Sequence, residues 1–194
     1  PFAYVGVAGS NNLISATPIG PIKSAFGSAL NTTVRSSNAV QWLLPAGWGG
    51  IEGELMWAAR EGGTAANGQD ALRGLRIGYR DKRFGLAVAS ARTSNDLTTS
   101  GKFQDDSVGG SVNLGAVRMS AAWRRFGQNA ARQTHVLVGA WVPVGVGEIR
   151  LSYNRVDLSG KVGAVAIDGN DATQIGLGYV HNLSARSALY GTFS

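Results

Sequence analysis

From Asn38 onward the chain repeats one unit about ten times: eight to twelve residues in which apolar side chains alternate with small or polar ones, then a connection. Ile51, Gly53, Leu55 and Trp57 alternate with Glu52, Glu54, Met56 and Ala58, and Ile149, Leu151 and Tyr153 with Glu148, Arg150, Ser152 and Asn154. A period of two sends the two sets to opposite faces of a β-strand. The connections read as alternately short and long, which implies an antiparallel, up-and-down order with tight turns at one end and larger loops at the other. A transmembrane β-barrel is built this way. The expected fold class is therefore all-β, an antiparallel up-and-down transmembrane β-barrel with about ten strands present.

Composition removes the main alternatives. In 194 residues with 44% hydrophobic content, no apolar run approaches the roughly 20 residues of a transmembrane helix. No long stretch carries a 3.6-residue apolar stripe either, which argues against a helical or α/β enzyme. The absence of Cys excludes disulfides and thiolate metal sites. The formal charge of +6 is spread along strands and loops instead of being gathered in a basic run, so no nucleic-acid partner is expected.

The predicted strands are 38–45, 51–60, 71–80, 83–93, 107–115, 117–126, 133–142, 148–156, 172–181 and 187 onward. Short connections fall at 47–50, 81–82, 115–116, 143–147 and 182–186. The longer ones, polar and Gly-rich, fall at 61–70, 94–106, 127–132 and 157–171. One strand face gathers Val40, Trp42, Leu55, Trp57, Leu75, Ile77, Leu86, Val88, Leu151 and Leu177, and is expected to meet lipid or a neighbouring subunit. The other gathers Gln41, Glu52, Glu54, Arg60, Arg76, Arg80, Ser111, Arg118, Ser120, Arg124, Arg150 and Asn154. A lumen lined by the second set holds water and passes hydrated solutes. Arg73 and Arg92 belong to the first face, near loop ends, and are expected to meet lipid headgroups or a subunit neighbour instead of the pore.

The stretch from Asp171 through Gly176, Tyr179, His181 and Tyr190 to Phe193 resembles the penultimate strands of the trimeric general diffusion porins of Gram-negative bacteria. The hairpin from Val138 through Pro143 to Tyr153 resembles that family's preceding hairpin, and Ser37 to Gly50 the strand after its constriction loop. The resemblance implies a 16-stranded barrel in the cell outer membrane, a homotrimer, and outer-membrane lipid and lipopolysaccharide around it. It implies passive diffusion of small hydrophilic solutes and ions. Residues 1–36 would form most of an inward-folded constriction loop, and residues 38–194 the sixth to fifteenth strands. Both termini read as truncated, so the sequence is expected to be an internal piece of a longer protein.

Lys23, Glu52, Glu54, Arg60, Arg76, Arg80, Arg118, Arg124 and Arg150 are the expected pore-lining residues, and their excess of bases predicts a preference for anions. The first 50 residues depart from the family pattern, because they hold Lys23 and Arg35 but no acid to oppose a basic wall. No catalytic, cofactor or metal site is expected. His135 and His181 lie on separate strands, and neither Ser152 nor Ser184 sits in a nucleophile-elbow pattern. Three other readings fit parts of the pattern: a soluble β-sandwich binding module, a barrel enzyme, and a barrel serving as adhesin or structural anchor. A sandwich would place the large apolar side chains in a dry interior, whereas a lipid-facing sheet leaves them on the outside.

Overall fold

The computed structural model describes residues 38–59, 71–95 and 101–194. These form a ten-stranded antiparallel sheet: β1 (Ala39–Leu43), β2 (Ile51–Ala58), β3 (Ala71–Arg80), β4 (Phe84–Asn95), β5 (Gly101–Asn113), β6 (Arg118–Gln128), β7 (Ala131–Val144), β8 (Gly147–Ser159), β11 (Ala172–Ser184) and β12 (Ser187–Phe193). Each strand pairs with the next, so the order in space is the order in sequence. A small hairpin, β9 (Lys161–Val162) with β10 (Val165–Ala166), lies in the connection between β8 and β11. Strands β4 to β8 run 11 to 14 residues. That meets or exceeds the roughly 9–11 residues a tilted strand needs to cross a bilayer.

Turn chemistry closes the hairpins. At Gly145-Val146 the first central residue has φ of +59°, which glycine adopts without strain. The connection expected at 127–132 is not a loop. Its strands stay paired through Gly127↔Arg132 and Gln128↔Ala131, and Asn129-Ala130 turns the chain with Asn129 at φ of +52°. Asparagine tolerates the left-handed region, so the polar sequence conceals a two-residue turn. The expected loop at 94–106 is shorter too, because β4 continues to Asn95 and β5 starts at Gly101. Short and long connections therefore do not alternate strictly.

The two faces have the reverse of a soluble protein's arrangement. Ile77 is 52% exposed and Leu86 55%, as are Trp42, Leu55, Trp57 and Leu177 to similar degrees. On the opposite face Arg124 is 1% exposed and Glu54 2%. A sandwich would bury the first set, because each large aliphatic side chain gains about 1.5–3 kcal/mol on leaving water. This sheet instead presents a broad apolar surface outward, the form suited to hydrocarbon. The sheet's buried apolar side chains lie on the polar face, most of them in two small clusters: Ala87, Phe103, Ala122, Phe126 and Leu137, and Met56, Ala58, Leu72 and Ala89.

Candidate functional site

The polar face is assembled by register. Glu54 stands opposite Arg76, Asn113 opposite Arg118, Ser107 opposite Arg124, and Trp141 opposite both Arg118 and Arg150. Glu52, Glu54, Arg76, Arg80, Arg118, Arg124 and Arg150 therefore share one face, as their alternation predicts. Lys23 and Arg60, and the whole of the 1–36 segment, lie outside the described residues. Between the charged positions on β3 to β5 sit Gly74, Gly78, Gly85, Ala87, Ala89, Ala91 and Gly109. These small residues leave room for long side chains of neighbouring strands.

Most of the charge is paired. Arg76 donates to Glu52 at 2.7 Å, and Arg80 shares the same carboxylate at 3.3 Å. Gln41 donates to Glu54, and Arg150 is bound to Glu148. Arg124 grips Asp105 with Nε to Oδ1 at 2.8 Å and Nη2 to Oδ2 at 2.5 Å, and its guanidinium lies 4.5 Å from the centroid of the Phe126 ring. Phe126 stacks on Phe103 at 5.7 Å and meets the His135 ring edge-on at 5.7 Å, while Gln133 bonds to His135. Arg118 lies 4.5 Å from the centroid of the Trp141 ring. It has no carboxylate partner among the described residues.

Asp105 corrects the expected charge balance. Placed in a loop from sequence, it belongs to β5 and faces inward opposite Phe126. On the described part of this face five arginines (Arg76, Arg80, Arg118, Arg124, Arg150) meet four carboxylates (Glu52, Glu54, Asp105, Glu148), so the excess is one charge. Extending the alternation Ser111, Gly109, Ser107 back to Asp105 and Phe103 would have found it. Phe126, His135 and Trp141 on the same face also escaped a pattern that assigned aromatics outward.

Ser107 Oγ, Ser120 Oγ, Arg76 Nε and Asn154 Oδ1 are buried on this face without a protein partner. Polar atoms so placed suit a surface that meets water. His135 and His181 lie on opposite faces, the first 3% exposed and the second beside Tyr179, whose hydroxyl is 3.2 Å from His181 Nδ1. They share no site with one another. Among the described residues no group of three or more His, Asp or Glu side chains gathers as a metal site. Asp168 and Asp171 accept from the backbone N–H groups of Gly160 and Leu158, at 3.1 and 2.9 Å, and so fasten the long connection back on itself.

The family model for Gram-negative porins matches residues 1–194. Outer membrane porin protein 32 of Delftia acidovorans is 32% identical over 201 residues, which take in 95% of this chain and 54% of that protein. An anion-selective porin from Comamonas acidovorans superposes with a TM-score of 0.78 at 29% identity, over 94% of this chain and 57% of that one. Salmonella typhi OmpF, in a complex with daunomycin, superposes with a TM-score of 0.70 at 13% identity, over 96% and 62% respectively, which speaks to fold alone. The chain thus spans a little over half the length of these relatives.

Proposed function

The chain belongs to the Gram-negative porin family of outer-membrane β-barrels, and from that premise we propose that it forms part of the wall of a water-filled channel for passive diffusion of small hydrophilic solutes and ions, with a preference for anions. The observation that carries the reading is the sheet's polarity: charged side chains gathered along one face, a mainly apolar surface with charge confined towards the loop-side strand ends on the other. A face of charged groups needs water beside it, and water beside an apolar outer wall means a pore in lipid. The pore-lining set is Glu52, Glu54, Arg76, Arg80, Arg118 and Arg150, with Lys23 and Arg60 as further contributors. Arg124 stiffens the wall through Asp105 and adds little free charge. The whole barrel has sixteen strands, assembles as a homotrimer, and sits among outer-membrane lipid and lipopolysaccharide. No bond-making step is assigned to it.

The anion preference is small in this half of the wall. Among the described residues Arg118 has an aromatic ring and no carboxylate, and Arg76 and Arg80 share one Glu52. A low-dielectric wall focuses even one or two such charges across the water column. The similar Comamonas acidovorans porin is anion-selective, which supports the same sign here. Reversal potentials of the full-length protein in a planar bilayer under a salt gradient test it. Anion preference at low salt, reduced by Arg118→Glu, is expected. Cation preference, or no response to Arg118→Glu, overturns the selectivity while leaving the channel.

A further inference from the structure

His135 of β7 is an ionisable group in the wall that the channel reading leaves without a role. It is 3% exposed, lies on the polar face and stands directly opposite Arg124 of β6. Its ring meets Phe126 edge-on, and that same Phe126 ring carries the Arg124 guanidinium over its face. On the other side β8 sets Val156 opposite His135, with Asn154 and Leu158 as its neighbours on this face, and β7 itself contributes Gln133 and Leu137. Among the described residues, the charged groups close to His135 on this face are therefore Arg124 and the Asp105 that Arg124 holds. The next ones, Arg118 on β6 and Arg150 on β8, are six residues further along their strands, about 20 Å away at the rise of an extended chain.

The hydrogen bonding fits a neutral imidazole. Gln133 Nε2 is placed against His135 Nε2, and an amide nitrogen only donates, so the ring nitrogen accepts. An imidazolium carries N–H groups at both ring nitrogens. Taking up a proton would set a second donor against the first and a second cation across from Arg124, where like charges on facing strand positions repel. The site can relieve this if Gln133 turns its amide oxygen to the ring and Arg124 shares Asp105 with it. The charge changes in either case. With a neutral ring Asp105 and Arg124 cancel, whereas with the proton the three groups together carry one positive charge. The described face has an excess of one positive charge, so this proton doubles it.

We propose that His135 is a pH-sensitive element of the channel wall, which on taking up a proton raises the channel's preference for anions. The proposal rests on the reading that this face borders the water of a pore. A charge set into a low-dielectric wall is screened less than one at an open surface, so its field reaches the water column. Histidine ordinarily titrates near pH 6.5 and exposed carboxylates near 4, so a step between pH 7.5 and 5.5 belongs to an imidazole. His181 supplies the contrast. It lies on the outward face beside Tyr179, where its charge does not border the lumen.

The test uses the full-length protein in planar bilayers, with reversal potentials read in a potassium chloride gradient at low ionic strength and at pH 7.5, 6.5 and 5.5. The ratio of anion to cation permeability is expected to rise about twofold or more as the pH falls. His135→Gln and His135→Asn should each remove the rise while leaving the ratio at pH 7.5 unchanged, and His181→Gln should leave the rise intact. A histidine-labelled 13C spectrum of the parent protein needs no variant: an imidazole signal that titrates with the midpoint of the permeability step supports the assignment, and the lack of any such signal overturns it. A flat pH profile in the parent, a rise that survives in both neutral variants, or a rise lost in His181→Gln would each overturn it as well. Conductance at pH 7.5 separates the two readings. A protein that conducts there without a pH step loses only this element, whereas one that forms no conducting channel at any pH loses the channel reading.

Discussion

Arg124 on β6 reaches diagonally across to Asp105 on β5 and binds both of its oxygens, while the faces of Phe103 and Phe126 close over the same spot. Diagonal neighbours on a sheet face are far enough apart that only long side chains meet. An arginine and an aspartate satisfy that spacing with two charge-assisted bonds, which fixes the register of β5 against β6 as well as neutralising both groups. A pair this deeply buried exposes its worth when one partner is lost, because the other is left charged and dry.

Asp105→Ala in the full-length protein is therefore expected to destabilise by about 3–5 kcal/mol, measured by denaturant unfolding from lipid vesicles. The double variant Asp105→Leu/Arg124→Met should recover most of that loss. A cost below about 1 kcal/mol for the single change would mean that water reaches the guanidinium and that the pair is no stronger than an exposed one.

The strand count and the two faces were legible in the sequence because a period of two needs only neighbouring residues to be read. Ile77 and Arg76 differ by one position and go to opposite faces, and no tertiary information is required to say so. Strand ends were not legible for the opposite reason. Asn129 looks like a loop residue until its partner strands are known to run on through Gly127↔Arg132. Asp105 looks like a loop residue until β5 is seen to start at Gly101. In both cases pairing with the next strand overrides local polarity, and pairing is a long-range fact. The inward aromatics Phe126 and Trp141 were hidden by their arginines. A ring that stacks under a guanidinium belongs with the charges, not with the lipid.

The Asp81 side chain organises the turn between β3 and β4. Its Oδ1 accepts from the backbone N–H of Phe84 at 2.8 Å and of Arg83 at 2.7 Å. Those two bonds hold its carboxyl below the ordinary value of 3.8. A folded-state value lower than the unfolded one contributes stability that is present above about pH 3.8 and is lost as the pH falls through the folded-state value. Asp81→Ala should lower the melting temperature at pH 7, and the gap to the parent protein should narrow by pH 3. An undiminished gap at low pH would show that the turn depends on the side chain's shape and not on its charge.

Gly160 offers a sharper test of how the long connection is held. Its φ is +90°, and a Cβ there would sit 1.9 Å from the carbonyl oxygen of Ala130 in the β6–β7 turn. The neighbouring Lys161 donates its backbone N–H to that same oxygen at 3.4 Å, and Ile167 donates back to the Gly160 carbonyl at 3.0 Å. The long connection is thus docked onto the short one through a contact that only glycine permits. Gly160→Ala must either push the two connections apart or force the backbone out of the left-handed region, at a cost of about 1–3 kcal/mol. Barrel strands paired over their full length should survive this, so the expected result is local: faster proteolysis between Lys161 and Asp171 with an unchanged barrel melting temperature. A fall in global melting temperature without a rise in loop cleavage would mean that this contact supports the β6–β8 pairing instead of merely seating the loop.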